Sequence, residues 1–119
     1  LGVNESFIAG DYYKPKLELL LKIRESINYN GEELKKILDK PSFQKLFGGL
    51  IETGDELSQA PKGFDPNHQH IDLLKYKTFA VETHLTKKQI LAADFNDRVI
   101  EIYLEMLPFR KYLNKAVTF

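Results

Sequence analysis

Apolar residues recur with the period of a helix in the first quarter of the chain, in the segment KLELLLKIRESI. Such spacing is typical of an amphipathic helix with one face turned to a core. The apolar face carries Leu17, Leu20, Leu21 and Ile27, and the polar face carries Glu18, Lys22 and Glu25. Pro15 is suited to the opening of this helix, and the run Asn28-Tyr29-Asn30-Gly31 predicts its end.

Two shorter helices are predicted next. Leu34, Ile37 and Leu38 form the apolar side of a helix over residues 32–38. Pro41 ends it, because the residue before a proline is pushed out of the helical region. Pro41 then opens a further helix that buries Phe43, Leu46 and Phe47 and is closed by Gly48 and Gly49.

The last third of the chain changes from strand to helix periodicity. Phe79, Val81, Thr83 and Leu85 alternate with more polar residues, which predicts a half-buried strand. Thr86 and Gln89 match a capping box that opens a short helix over residues 87–92. Asp94 then caps a longer helix, which Pro108 breaks or kinks, with residues 109–116 as a final helical piece. Its apolar stripe consists of Phe95, Val99, Ile102, Tyr103 and Met106.

Other short stretches favour extended structure. We predict a strand at residues 6–9 with a bulge or turn at Gly10, a strand-like piece at 50–52, a turn at 53–55, and extended chain at 56–60. The fold class is therefore α+β, mostly helical, with a small, incomplete sheet of two to four short strands. The strand edge at residues 6–8 would lack a partner, which predicts a dimer through that edge or a covering segment.

Composition narrows the classes of function. The length of 119 residues fits one domain, and the net charge is zero, which argues against a nucleic-acid or anionic-membrane binder. The absence of cysteine excludes disulfides and cysteine-based zinc sites. No apolar run reaches the roughly 18–20 residues of a membrane span. The expected location is the cytoplasm.

The stretch PKGFDPNHQH, residues 61–70, gathers the most reactive side chains. Asp65 followed by Pro66 predicts a helix N-terminus. His68, His70 and Asp72 are metal-ligand types, with His84 the remaining histidine. On a helix His68 and His70 would point about 200° apart, however, and zinc or iron needs three or four ligands. No metal site is assigned.

Anion binding is a second hypothesis for this stretch. Lys62 and Gly63 precede the predicted helix N-terminus, where free N–H groups and the helix dipole favour anions. Arg24 and Lys77 would join them if the fold brings all four together. A solvated lysine and a turn glycine form the simpler interpretation, which we favour.

A catalytic arrangement is not evident. The chain contains no phosphate-binding glycine motif, and none of its serines lies in a nucleophile elbow. Asp65 and Asp72 are the first pair of carboxylates to examine for acid–base work. The basic and aromatic run at residues 109–115 fits an amphipathic terminal helix better than a base-stacking surface. The sequence therefore indicates neither a reaction nor a cofactor.

Several motifs resemble a known family. A glycine–tyrosine turn leads to a proline and an LxxxxIRxxI helix, and Phe47-Gly48 follows. LxxAPKGFDPxH at residues 57–68 is the most specific part, with DLLKxKTF at 72–79 and PFxxxLN at 108–114 behind it. The chain resembles the C-terminal half of the conserved hypothetical proteins grouped as domain of unknown function number 2461.

The resemblance implies a single domain over residues 1–119 that forms the C-terminal portion of a longer family member. An upstream charged half ending in Pro-Tyr-Lys is absent here, and Gln69 stands where the family often has proline. The family has no activity to carry over, but the resemblance gives weight to Lys62, Asp65, His68 and Lys77. We expect a domain that binds an unknown small ligand or protein partner. The alternative is an enzyme or anion-binding domain whose pocket an N-terminal half completes.

Overall fold

The computed structural model describes residues 5–118, with side chains from residue 12 onward. Its elements are β1 Glu5–Tyr12, α1 Leu17–Asp39, α2 Pro41–Phe47, α3 Ile71–Leu74, β2 Phe79–Thr86, α4 Lys87–Leu91 and α5 Phe95–Thr118. Helices account for most of the ordered elements, and two strands form one small sheet. The predicted class, a mostly helical α+β fold, is confirmed.

The sheet is an antiparallel pair of β1 and β2, in register from Glu5 opposite Thr86 to Tyr12 opposite Phe79. Strand β1 runs through Gly10, which lies opposite Val81, so the predicted turn at Gly10 is wrong. Continuous pairing with β2 holds the glycine extended.

Residues 50–52, predicted to be strand-like, do not form a strand. Ile51 N–H donates to the carbonyl of Ala80 (2.8 Å), but a single hydrogen bond does not make a ladder.

Helix α1 contains a break where the sequence predicts a helix end. Asn30 has non-helical dihedral angles (φ −143°, ψ 47°), after which the helix resumes and continues to Asp39. The two predicted helices are therefore one kinked element. Its buried face also differs from the predicted stripe, since Leu17 and Leu21 are exposed whereas Ile23 and Arg24 are buried. Leu20 and Ile27 are buried as predicted, and packing placed Ile23 beside them on the buried face in place of Leu17 and Leu21.

The core lies between α1, α2, α5 and β2. Phe43, Phe79 and Phe109 are fully buried at its centre, and the rings of Phe43 and Phe109 lie 5.9 Å apart. Helix α2 begins at Pro41 and ends at Gly48, which adopts a left-handed conformation (φ 71°), as predicted. In β2, Val81, Thr83 and Leu85 point inward, which confirms the alternation.

The C-terminal helices follow the sequence except at Tyr103, which was predicted in the apolar stripe of α5 and is exposed, and at Pro108. The capping box of Thr86 and Gln89 is formed in both directions. Helix α5 continues through Pro108 without ending, although an interior proline costs about 3 kcal/mol. Met106, Phe109 and Tyr112 are buried on either side of it, so packing offsets the proline. Among the helices within residues 5–118, none has the length and hydropathy required to cross a membrane.

Candidate functional site

The segment at residues 65–70 forms a turn and not a helix start. Asp65 Oδ1 accepts a hydrogen bond from Asn67 N–H (2.8 Å), and its carbonyl accepts one from His68 N–H (3.0 Å). Helix α3 begins only at Ile71 and has four residues. The predicted helix N-terminus at Pro66 is wrong, because local hydrogen bonds of Asp65 close a turn before a helix can grow. Without a helix N-terminus at Pro66, the argument that a helix dipole favours an anion at Lys62 and Gly63 has no support.

The ring of His68 forms two hydrogen bonds, one as acceptor and one as donor. Its Nδ1 accepts from the backbone N–H of His70 (3.0 Å), so Nε2 carries the proton and donates to the carbonyl of Asn28 (3.2 Å). Asn28 lies just before the kink of α1. Both ring nitrogens of His68 therefore bind the turn to α1.

His70 packs against the same kink. Its side chain is only 6% exposed, and a Cβ added at Gly31 would lie 2.6 Å from His70 Cδ2. His70 Nε2 lies 3.7 Å from Glu32 Oε2 and has no hydrogen-bond partner among the described residues. Within the described side chains, no three His, Asp or Glu residues are placed to share a metal ion. The two histidines dock the turn on α1.

Arg24, an anion-binding candidate, lies inside the protein. Its Nε donates to the carbonyl of Leu74 (3.0 Å) and its Nη2 to the carbonyl of Tyr76 (3.2 Å). Burial lowers the pKa of the guanidinium from its ordinary value, yet arginine stays protonated at neutral pH. Arg24 therefore ties the chain that leaves α3 to α1, with two of its donors already engaged.

Lys62 and Gly63 do share a surface. They line an open hollow of about 530 Å³ together with Lys75, Phe64 and Ile71. Gly63 has φ +90° and no atom within 4 Å of its absent side chain. Lys77, Arg24, Asp65 and His68 are not among the residues that line this hollow. The structure thus brings together two of the sequence candidates and adds Lys75.

A second concavity, the α1/α5 cleft, was not foreseen from the sequence. Lys22 Nζ donates to the carbonyl of Val117 (3.4 Å), whereas Asn30 contacts Tyr112, so the two helices run antiparallel. The cleft between them has a volume of about 320 Å³. Its lining consists of Lys22, Glu25, Ser26, Tyr29, Asn30, Glu33, Tyr112, Lys115 and Ala116.

Hydroxyl groups meet at the base of the α1/α5 cleft. Ser26 Oγ donates to Tyr112 OH (3.2 Å), which donates in turn to the carbonyl of Asn30 (3.0 Å). Burial raises the pKa of Tyr112, the hydrogen bond from Ser26 lowers it, and the nearby Glu33 carboxylate raises it. Tyr29 stands at the rim with 93% of its surface exposed. A preformed polar cluster thus lies beside an exposed aromatic ring.

Sequence reasoning missed this cleft because its residues look ordinary. Ser26 and Glu33 belong to no motif in the sequence, Tyr29 lies at the predicted end of the first helix, and Tyr112 lies 82 positions from Asn30. One signal was present: Asn28-Tyr29-Asn30-Gly31 marked the discontinuity in α1. A broken helix frees backbone carbonyls, and Asn28 and Asn30 supply the carbonyls that His68 and Tyr112 bind.

Fold and site together define an α+β domain with a two-stranded ribbon and a cleft between two long helices. The model of the conserved hypothetical proteins known as DUF2461 matches residues 1–112, so the chain belongs to that family. Neither the curated proteins nor the solved structures contained a match.

Proposed function

We propose that this protein is a binding domain that holds a small organic ligand in the α1/α5 cleft. The observation that carries the proposal is the hydroxyl pair of Ser26 and Tyr112, fixed on the free carbonyl of Asn30 at the base of a cleft of about 320 Å³. Ligand pockets combine a mostly apolar wall with a few oriented polar groups in a volume of this order. Ala116 and the tyrosine rings supply that wall.

The position of the cleft at the kink supports a preformed site. The kink exposes polar backbone on one side of α1, and His68 with Tyr112 hold that backbone from two directions. A ligand would meet groups that are already ordered, so binding would cost little conformational entropy. The solvent-exposed ring of Tyr29 offers a surface on which a planar ligand can stack.

A nuclear magnetic resonance titration with one- and two-ring fragments of varied charge tests the proposal. We expect amide shifts confined to residues 22–33 and 111–116. The substitution Ser26→Leu fills the cleft and should abolish those shifts, whereas Glu18→Leu, in the exposed first turn of α1, should leave them unchanged. Shifts that fall elsewhere, or that persist in the Ser26→Leu variant, would refute the proposal.

Anion binding in the Lys62 hollow is a second candidate function, because the fold places Lys62, Gly63 and Lys75 around one depression. Two ammonium groups beside an unhindered glycine backbone suit phosphate. Titration with inorganic phosphate should move the Gly63 amide resonance in the native chain and not in a Lys62→Ala/Lys75→Ala variant. An unmoved Gly63 amide would remove this candidate.

A cytoplasmic location is likewise a proposal, which imaging of a tagged chain tests.

A further inference from the structure

We infer that the ligand of the α1/α5 cleft is a protonated amine attached to a small ring or apolar body. The inference rests on the proposed function and adds the chemical class of the ligand. It follows from the hydrogen-bonding groups that remain available in the cleft after its own residues have bonded to one another.

The hydroxyl groups in the cleft present acceptors and not donors. The Ser26 hydrogen is directed to Tyr112, and the Tyr112 hydrogen is directed to the carbonyl of Asn30. Each hydroxyl has one hydrogen and two lone pairs, so lone pairs alone remain for a ligand. A carboxylate or carbonyl placed there would bring two acceptor oxygens together with no hydrogen between them, whereas an ammonium group would donate hydrogen bonds to the lone pairs.

Carboxylates and aromatic rings favour the same class of ligand. Glu25 and Glu33 both line the cleft, one on each side of the kink at Asn30. Neither forms a salt bridge with another residue in the described part of the chain. The exposed ring of Tyr29 adds a face that attracts a cation. An ammonium group near Glu33 would therefore gain a carboxylate, lone pairs and a ring together.

Lys22, one of the two lysines in the lining, lies toward the other end of the cleft, where its Nζ donates to the carbonyl of Val117 in the last turn of α5. Its charge would repel an ammonium group there. Lys115 also lines a neighbouring hollow together with Glu33, so it does not set the direction of the ligand. The ligand should thus bind in one direction, with the amine toward Glu33 and the ring toward Ala116.

Three matched probes isolate the terminal group: phenethylamine, 2-phenylethanol and 3-phenylpropanoate share a phenyl ring and a two-carbon link. We expect phenethylamine to bind in the cleft roughly tenfold more tightly than the alcohol, a factor that corresponds to one charge-assisted hydrogen bond. The amide shifts should not reach saturation with 3-phenylpropanoate. Affinities and binding positions would be measured by following amide shifts of residues 22–33.

The variant Glu33→Gln should lose roughly tenfold in affinity for phenethylamine while keeping its affinity for 2-phenylethanol. Glu18→Gln, on exposed α1 surface, serves as the matched control. Tighter binding of the propanoate, or equal binding of all three probes, would overturn the inference and leave the binding function standing. The absence of cleft shifts with every probe overturns the inference too, and the fragment titration then decides the binding function separately.

Discussion

Gly31 occupies a position where the fold has no space for a side chain. A Cβ there would lie 2.6 Å from His70 Cδ2 and 2.9 Å from its Cγ, distances that demand movement of a buried ring. We predict that Gly31→Ala lowers the free energy of unfolding by about 1–2 kcal/mol, because overpacking outweighs the better helix propensity of alanine. Urea denaturation measures the change.

A double-mutant cycle separates this clash from any other effect of the alanine. In a His70→Ala background the ring is gone and only the contact with Ile27 Cγ2 (3.1 Å) remains, so Gly31→Ala should lose most of its cost. An equal loss of stability in both backgrounds would contradict the steric explanation.

Arg24 contributes to stability and not to a surface site. Replacing it with methionine would leave the carbonyls of Leu74 and Tyr76 without their donors. We predict a loss of about 2–4 kcal/mol for Arg24→Met in thermal or urea unfolding, since unpaired buried polar groups are expensive. Lys36→Met, on the exposed surface of α1, should change little. A fully stable Arg24→Met variant would show that the guanidinium is dispensable.

At the scale of elements, Tyr112 links the break in α1 to α5. Its hydroxyl is shared by Ser26 and the Asn30 carbonyl, so one side chain satisfies backbone that the kink left open. Helix periodicity predicted both helices and, with Ile102 and Met106, part of the face that α5 buries, but not the whole buried face of α1. Leu17 and Leu21 fit the period as well as Ile23 does, and contact with α5 and α3 selected between them.

The pH dependence of stability tests the burial of Tyr112. Its pKa is raised in the folded protein, so the stabilisation is complete below the unfolded pKa of about 10 and is lost as the pH rises from there through the folded pKa. Tyr112→Phe should cost about 1–2 kcal/mol at neutral pH and show a shallower alkaline decline. Part of the decline will persist, because the pKa of Tyr76 is raised as well. Tyr103→Phe, at a half-exposed ring, should cost little stability at neutral pH.

At the scale of the whole molecule, the protein is elongated. Its dimensions are 50 × 25 × 24 Å with a radius of gyration of 15.6 Å, against about 13.5 Å for a compact domain of this length. The sheet has two strands in the described residues, and isolated two-stranded pairs are marginally stable. An added strand from a second copy would stabilise the pair.

Residues 6–8 do have a partner on one side, in β2, and for the other side of β1 the prediction of a dimer or a covering segment stands. If the edge forms a dimer, light scattering after gel filtration should give twice the monomer mass, and a proline at the position within 6–8 whose N–H points away from β2 should lower it, because proline removes a ladder donor. A monomeric native chain with this edge open to solvent would count against the prediction.

The candidate site was predictable only in part. Asp65, His68 and Lys62 were candidates because of their side-chain chemistry. The position of His68, however, depends on a hydrogen bond to backbone 40 residues away, and that of Asp65 on a hydrogen bond within the turn. Sequence spacing could not show that Arg24 would be enclosed or that Lys75 would join Lys62. The α1/α5 cleft depends on contacts more than 80 positions apart, and no local pattern contains such information.

The sequence by itself determined the secondary structure where local chemistry is strong: the capping box at Thr86, the end of α2 at Gly48, the alternation in β2 and the break near Asn30. These features depend on interactions within a few residues, which a pattern records directly. Only the tertiary structure decided which face of α1 is buried, that α5 passes through Pro108, and that Ser26 meets Tyr112. Those outcomes depend on packing between distant segments, which overrides local preference.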